Sequence, residues 1–399
     1  MSDYDIIADM IEDENQPQPH ILWDMNYLYD AFKKSMKGSS WKSEPQRYEQ
    51  GVTMELTKLS KSLENHTYET DPTVEFILDE RGKTRYIHGN TIKDRIVRHN
   101  LCDNIVTSII DNYLIYNNGA SQKGKGISFS RKRFERDLHN FYLKYGDNKG
   151  YVLFIDYSKF YDNIPHAKVK EMFDGLLDEE SKWLINDIID SFNIDITNYP
   201  SINPEDKFDS IDFHKLIPTG ENLPKRYLNK GIDIGDQTSQ NIGIFYPTRI
   251  DTYATVVRGH KWYGRYMDDM YIIHRDKEYL EETLKGMMKL TKEYGLFVNE
   301  KKTHICKLSD TYKYLQVKYF LTVKGKVVKR INPKAVTRER RKLKAYKRLL
   351  DKSIMKYEDI KRAYKSWICE YHKLMSKQQI LNMQKLYTEL FNDTVRYRG

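Results

Sequence analysis

The chain has 399 residues and a formal net charge of +9, from 66 Lys and Arg against 57 Asp and Glu. That length accommodates several subdomains around a common core, and the basic balance suits a polyanionic partner. The three cysteines, Cys102, Cys306 and Cys369, are odd in number and widely spaced, so neither a disulfide framework nor a zinc site is indicated and a reducing, cytoplasmic setting is expected.

In chain order, residues 1–20 read as a loosely held acidic tail ending in Asn-Gln-Pro-Gln-Pro-His, without the basic start of a signal peptide. No uninterrupted apolar stretch is long enough for a bilayer, so a soluble protein with no membrane partner is expected. Leu101, Ile105, Ile109 and Tyr113, with Val106 and Ile110 alongside, recur at helical spacing and are core candidates. Tyr151 to Ile155 is a continuous apolar run that suits a strand buried on both faces, and Asp156 ends it. Asn163 to Pro165 reads as a helix start, with proline tolerated in the first turn. The 193–225 stretch, broken by Tyr-Pro, Asn-Pro and Ile-Pro, reads as an insertion loop of unassigned role. The segments Gly259–Arg265 and Met270–His274 predict a hairpin with Tyr266-Met267-Asp268-Asp269 at its tip. Lys277 to Tyr294 predicts an amphipathic helix capped by Asp276 and stopped by Gly295.

From Lys324 to Lys352 cationic residues crowd the chain and interleave with Val336, Leu343, Tyr346, Leu349 and Leu350. An amphipathic helix with one basic face, carrying Arg338, Arg340, Arg341, Lys342 and Lys344, would cradle a sugar-phosphate backbone. The end of the chain, from Tyr364 to Phe391, is again helical in pattern, with Trp367, Ile368, Tyr371, Leu374, Ile380, Met383, Leu386 and Leu390 facing a core.

Two adjacent carboxylates at a turn are costly unless a cation neutralises them, so Asp268 and Asp269 read as half of a metal site. Asp156, where a buried strand emerges, is well placed to share the cation. Hard oxygen ligands point to Mg2+, with Mn2+ as a substitute, and the absence of His or Cys from these segments argues against zinc.

The pattern Phe154-x-Asp156-x-x-x-x-Tyr161-Asp162-x-Ile164, followed at palm-like spacing by Tyr266-Met267-Asp268-Asp269, resembles the catalytic core of a reverse transcriptase. Between them, Gly231-Ile232-Asp233-Ile234-Gly235-Asp236-Gln237-Thr238-Ser239-Gln240 is similar to the Gly-x-Pro-Ile-Gly-x-x-Thr-Ser-Gln block of bacterial and phage enzymes. Its Ser-Gln ending resembles the defence-associated and diversity-generating retroelement groups. Gly295-Leu296-Phe297-Val298-Asn299-Glu300-Lys301-Lys302-Thr303 resembles the Gly-Leu-x-Leu-Asn-x-x-Lys-Thr block, and Lys83-Thr84-Arg85-Tyr86-Ile87 the finger strand Lys-x-Arg-x-Ile. Two departures stand out: Gln122 occupies a position usually taken by Arg, leaving Lys123 to supply the charge, and Gln316 occupies a primer-grip position usually taken by Gly.

The resemblance implies an α/β right-hand polymerase. It would have an acidic N-terminal tail (1–20), fingers (21–150), an antiparallel-sheet palm (151–310), and a primer-grip hairpin with a helical thumb (311–399). It implies an RNA template, deoxynucleoside triphosphates and a DNA product, with two Mg2+ ions held by Asp156, Asp268 and Asp269 and Lys302 as general acid. Lys83, Arg85, Lys123, Tyr161 and Gln240 would meet the incoming nucleotide. Tyr266, Met267 and the basic helix would meet nucleic acid. No room is expected for a ribonuclease H domain or a maturase extension, which leaves a stand-alone bacterial or phage enzyme of anti-phage defence using a dedicated structured non-coding RNA. A diversity-generating retroelement enzyme is the alternative. An RNA polymerase is a second alternative, although the acid expected against the ribose, Asp162, stands one position late. A catalytically silent RNA-binding scaffold is a third, and three intact carboxylates weigh against it.

Overall fold

In chain order the helices are α1 (Met25–Met36), α2 (Ser43–Gln50), α3 (Val52–Glu64), α4 (Ile92–Leu101), α5 (Thr107–Ile110), α6 (Ile127–Tyr145), α7 (His166–Phe173), α8 (Glu179–Asp190), α9 (Gln237–Phe245), α10 (Thr248–Thr252), α11 (Lys277–Glu293), α12 (Pro333–Asp351), α13 (Tyr357–Tyr371) and α14 (Lys377–Phe391). The strands are β1 (Val74–Glu80), β2 (Lys83–Gly89), β3 (Tyr151–Ile155), β4 (Ile194–Asp195), β5 (Tyr227–Leu228), β6 (Tyr263–Tyr266), β7 (Asp269–His274), β8 (His304–Lys307), β9 (Tyr312–Tyr314), β10 (Val317–Leu321) and β11 (Val327–Ile331). The structure is a computed structural model that describes residues 20–80, 83–203, 208 and 223–396, without the side chains of residues 80 and 83. Nearly all of the acidic tail and most of the 193–225 stretch lie outside the described residues.

The chain forms two compact units, and it passes between them several times. The first holds the residues up to Ile115, Ser158–Arg249 and Leu290–Phe297. Its opening helices have conventional starts: the Asp24 carboxylate accepts from the Asn26 and Tyr27 amides, and the Thr91 hydroxyl accepts from Asp94 N. β1 and β2 pair as an isolated antiparallel hairpin. After α4 the chain makes a π-type turn at Cys102–Val106. The extra residue rotates the helical face, so the predicted series does not stay inward. Leu101, Ile105, Val106 and Ile110 are buried, Ile109 is half-buried, and Tyr113 is 51% exposed, a correction to its assignment as core.

The block 231–241 also belongs to the first unit. Gly231 and Gly235 have φ of +95° and +108°, which L side chains rarely adopt. Asp236 caps α9 by accepting from Thr238 N at 2.6 Å, and it is itself held by the buried guanidinium of Arg98 and by Asn90 Nδ2 at 3.0 Å. Pro165 sits at the cap position of α7 rather than inside its first turn.

The second unit holds Tyr116–Tyr157, Ile250–Lys289 and the residues from Val298 onward. Its sheet has the order β6-β7-β3-β8 with every pairing antiparallel. β3 is central, which explains its continuous apolar run. A second three-stranded sheet, β11-β10-β9, shares one apolar core with α6 and the C-terminal helices. Phe134 stands in the middle of that core, with its ring centroid 4.8 Å from Tyr271 and from Tyr314 and 5.2 Å from Tyr319. The basic run is part strand and part helix: Lys329 and Arg330 lie on β11, and the helix begins only at Pro333, capped by Asn332. α12 turns Ala335, Glu339 and Leu343 inward at a spacing of four. α14 opens with a capping box between Ser376 and Gln379.

Candidate active site

The β6–β7 connection is two residues long: Tyr266 pairs with Asp269, and Met267 and Asp268 make the turn. Met267 has φ +53°, a conformation that two-residue hairpins favour because its twist matches the flanking strands. A non-glycine residue there costs roughly 1–3 kcal/mol, so the surroundings must hold the turn.

Arg265 does much of that holding. Its guanidinium is fully buried, with Nε and Nη2 at 2.9 and 2.7 Å from the two oxygens of the equally buried Asp251, to which Tyr263 also donates its hydroxyl hydrogen. Nη1 of Arg265 reaches the Met267 carbonyl at 3.5 Å. The backbone of Arg265 is tied to Asn117 O and Gly119 N, which covers the outer edge of β6. Sequence reading missed this pair. An arginine inside an otherwise apolar strand was the available signal, because a guanidinium at such a position needs a buried carboxylate.

Asp156 follows β3 one step beyond the Ile155–Met270 pair and therefore emerges beside the start of β7. It is 8% exposed. The turn 299–303 wraps its backbone: Asn299 N donates to Asp156 O at 2.8 Å, and Thr303 N closes back on Asn299 O at 2.9 Å. This turn brings Lys302 Nζ to 2.5 Å from Asp156 Oδ1. The Asp269 carboxyl is pushed up to about 7, first by burial and then by the charges of Asp268 and Asp156, against the opposing pull of Lys302 and Lys313.

Among the described residues, no three His, Cys, Asp or Glu side chains are arranged to hold a metal ion by themselves. The three carboxylates nevertheless fit a divalent cation. They offer only hard oxygens, burial and then their mutual repulsion raise Asp269, and one of them already draws an ammonium to its oxygen. Mg2+ commonly takes one or two carboxylates and leaves its other positions to water and substrate phosphate, so a three-sided cage is not required.

Elsewhere in this unit, Tyr266 and Met267 are half-buried at the hairpin tip, and Lys123 is exposed in the 121–126 loop. On α12, Arg338, Arg340, Arg341, Lys342 and Lys344 are all exposed while the opposite face packs inward. The β9–β10 turn puts Leu315 and Gln316 at φ +41° and +71°, so Gln316 takes up the conformation a glycine would supply. Arg131 Nε and Nη2 both donate to the Leu315 carbonyl, at 3.0 and 2.7 Å, and steady that turn.

The remaining predicted residues belong to the first unit. Arg85 is exposed on β2, and the side chain of its neighbour Lys83 lies outside the described residues. Tyr161 packs over α9, where a Cβ built on Gly243 would lie 2.9 Å from the tyrosine hydroxyl. Gln240 is exposed in the first turns of α9.

A two-residue hairpin presenting paired aspartates, a third aspartate just past the end of the central strand and a lysine at its oxygen thus lie in one compact unit. The family model of reverse transcriptase (RNA-dependent DNA polymerase) matches residues 77–319, more than half of the chain, and the chain belongs to that family. No curated protein matches it. Family membership makes the protein an RNA-directed DNA polymerase with an RNA template, deoxynucleoside triphosphates, a DNA product and a divalent metal requirement. Among the described residues no helix is long and apolar enough to cross a membrane.

Proposed function

We propose that the protein extends a primer on an RNA template by in-line attack of a 3′-hydroxyl on the α-phosphorus of a deoxynucleoside triphosphate, with Asp156, Asp268 and Asp269 as the acidic centre. The observation that carries this reading is the meeting of Asp156, Lys302 and the Asp268-Asp269 turn in one compact unit. Two Mg2+ ions, when bound by these carboxylates, would stabilise the charge on the attacking and leaving oxygens.

The chain's own residues supply the rest. Burial and the Arg265–Asp251 pair fix the hairpin, so the two aspartates need no reorganisation before reaction. Lys302, already at Asp156, supplies a proton to the departing pyrophosphate. Arg85 and Lys83 of the finger strand, with Lys123, hold triphosphate oxygens, for which a guanidinium offers two parallel donors. Tyr161 stands against the sugar beside Gln240, and the basic face of α12 follows the backbone of the template–primer.

The same reading makes the molecule a right hand: fingers at 21–150, palm at 151–310, and primer grip with thumb at 311–399. Its biological setting is anti-phage defence with a dedicated structured non-coding RNA. The Ser239-Gln240 ending equally supports a diversity-generating retroelement, and the fate of the cDNA separates the two. Primer extension on RNA tests the chemistry. Wild type should prefer deoxyribonucleotides, and Tyr161→Ala should raise ribonucleotide use relative to deoxyribonucleotide use, because specificity is a ratio of two rates. A wild type that prefers ribonucleotides replaces this reading with an RNA polymerase.

A further inference from the structure

The β6–β7 hairpin has an open end as well as a turn. Asp269 and His274 stand five residue steps apart along β7, roughly 17 Å at about 3.3 Å per step. At that far end, within the second unit, lies a cavity of about 170 Å³. Its lining contains Lys144, Arg258 and Lys261 and no Asp or Glu. Arg258 is partnered by Glu282 at 3.1 Å, whereas Lys144 and Lys261 have no carboxylate partner among the described residues. Three aromatic rings, Tyr145, Trp262 and Tyr279, also line it, with Gly259, Ile273 and His274 completing the walls. Lys144 Nζ lies 4.9 Å from the Tyr145 centroid and 5.6 Å from Trp262, and the Arg258 guanidinium lies 4.2 Å from Tyr279.

His260 adds a directional feature. It is 4% exposed and lines the cavity. The Thr283 hydroxyl donates its hydrogen to Tyr279 O at 2.8 Å and accepts from Arg258 Nε at 3.2 Å. His260 Nε2, 2.8 Å from the same oxygen, must therefore be the protonated nitrogen, which leaves the lone pair on Nδ1. Burial and the neighbouring charges of His274 and Arg258 push this imidazole down to about 4, consistent with a neutral ring. Nδ1 is buried with no partner. A buried acceptor left unmatched is destabilising, and a ligand bringing an amino or hydroxyl hydrogen would satisfy it.

Unpaired amines, stacking faces and a waiting acceptor describe one ligand chemistry. We propose that this cavity binds a single unpaired nucleotide, its base against the rings of Tyr145, Trp262 and Tyr279 and its phosphate on Lys144 and Lys261. Base stacking on aromatic side chains combined with cationic contacts to the backbone is the general mode of single-strand binding. The cavity is smaller than the pockets that enclose whole drug-sized ligands, which limits it to one flat group. An acidic peptide would engage the amines and leave the rings unused. The proposal rests on the polymerase reading only for the presence of a nucleic-acid strand, and it places a second contact at the end of the hairpin away from the carboxylates.

The test uses the full chain and three probes: a ribohexamer, a deoxyribohexamer and a nucleoside monophosphate. Ultraviolet cross-linking should attach the bound probe to Tyr145, Trp262 or Tyr279. Replacing both lysines (Lys144→Ala with Lys261→Ala) should lower the slope of log affinity against log salt by about 0.7, the value for the one single-strand phosphate they share. Tighter ribohexamer binding assigns the Nδ1 partner to the 2′-hydroxyl. Equal hexamer binding assigns it to the base, and competition by the monophosphate marks a site for free nucleotide. The lysines are exposed, so the double variant keeps its fold, which circular dichroism checks. Cross-links confined to other surfaces, or an unchanged salt slope, overturn the site. Extension of a preformed primer–template, run in parallel, judges the polymerase reading separately: failed extension with the cross-links retained rejects that reading and leaves the site standing.

Discussion

Asp268 and Asp156 are the residues on which catalysis should depend most sharply. Asp268→Asn and Asp156→Asn each remove one of three charges around the expected cation while keeping shape. Each should lower extension with Mg2+ by at least about 100-fold, in line with the loss of a key charge-stabilising group, and leave RNA binding nearly unchanged. Primer extension and filter binding measured on the same preparations check both halves, and near wild-type extension by either variant would overturn the site assignment. Away from the site, Asp137 is buried in α6 and receives the Tyr271 hydroxyl hydrogen at 2.7 Å, yet burial pushes its carboxyl up to about 6. A folded value raised above the unfolded one contributes stability that is fully present below the unfolded value near 4 and is lost as pH rises through 6. Asp137→Asn should therefore remove up to about 3 kcal/mol of that pH dependence between pH 4 and 6. Thermal melts across this window should be flatter in the variant, and identical slopes would reject the assignment.

At the scale of elements, α12 separates two jobs on opposite faces. Ala335 and Leu343 anchor it to the core, while Arg340, Arg341 and Lys342 are exposed. Replacing those three with Ala should weaken RNA binding at every sequence and flatten its salt dependence by up to about three contacts' worth, with little change in melting temperature. A variant with the wild-type salt slope would show the basic face to be merely solvated. Several elements near the site were legible from periodicity: the hairpin carrying the aspartates, the central apolar strand, and α11 with its Asp276 cap and Gly295 stop. Periodicity failed where the backbone left its regular path. The π-type turn at Cys102–Val106 rotated Tyr113 outward, and β11 took up the first part of the basic run. Neither the extra residue in a helical turn nor a strand rich in lysine leaves a mark on hydrophobic spacing.

For the whole molecule, the proposed function predicts a ribonucleoprotein. RNA recovered with the protein from its host should be dominated by one structured species encoded beside the gene, since A-form RNA is held by shape, phosphate and 2′-hydroxyl contacts. Sequencing the copurified RNA decides this, and a random transcript pool rejects a dedicated partner. Production of its cDNA only on phage infection would support defence, and mutations carried into a variable target gene would support diversification.

What the sequence determined by itself was local and chemical: carboxylates at a turn and at the end of a buried strand, a lysine in a Gly-Leu-x-Leu-Asn-like block, a basic helix, and the family these blocks resemble. Such features are short-range, so the order of residue types reports them directly. The tertiary structure alone decided what meets across long separations. Lys302 reaches Asp156 from 146 positions away, Arg131 holds the Leu315 carbonyl from 184 positions away, and the chain is divided between two interleaved units. Even the nearby Arg265–Asp251 pair escaped sequence reading, because a buried ion pair is set by which faces the packing closes over and not by spacing along the chain. Gln316 makes the same point in reverse. Its side chain argues against a left-handed turn, and the packed strands on either side, with Arg131 on the neighbouring carbonyl, impose one.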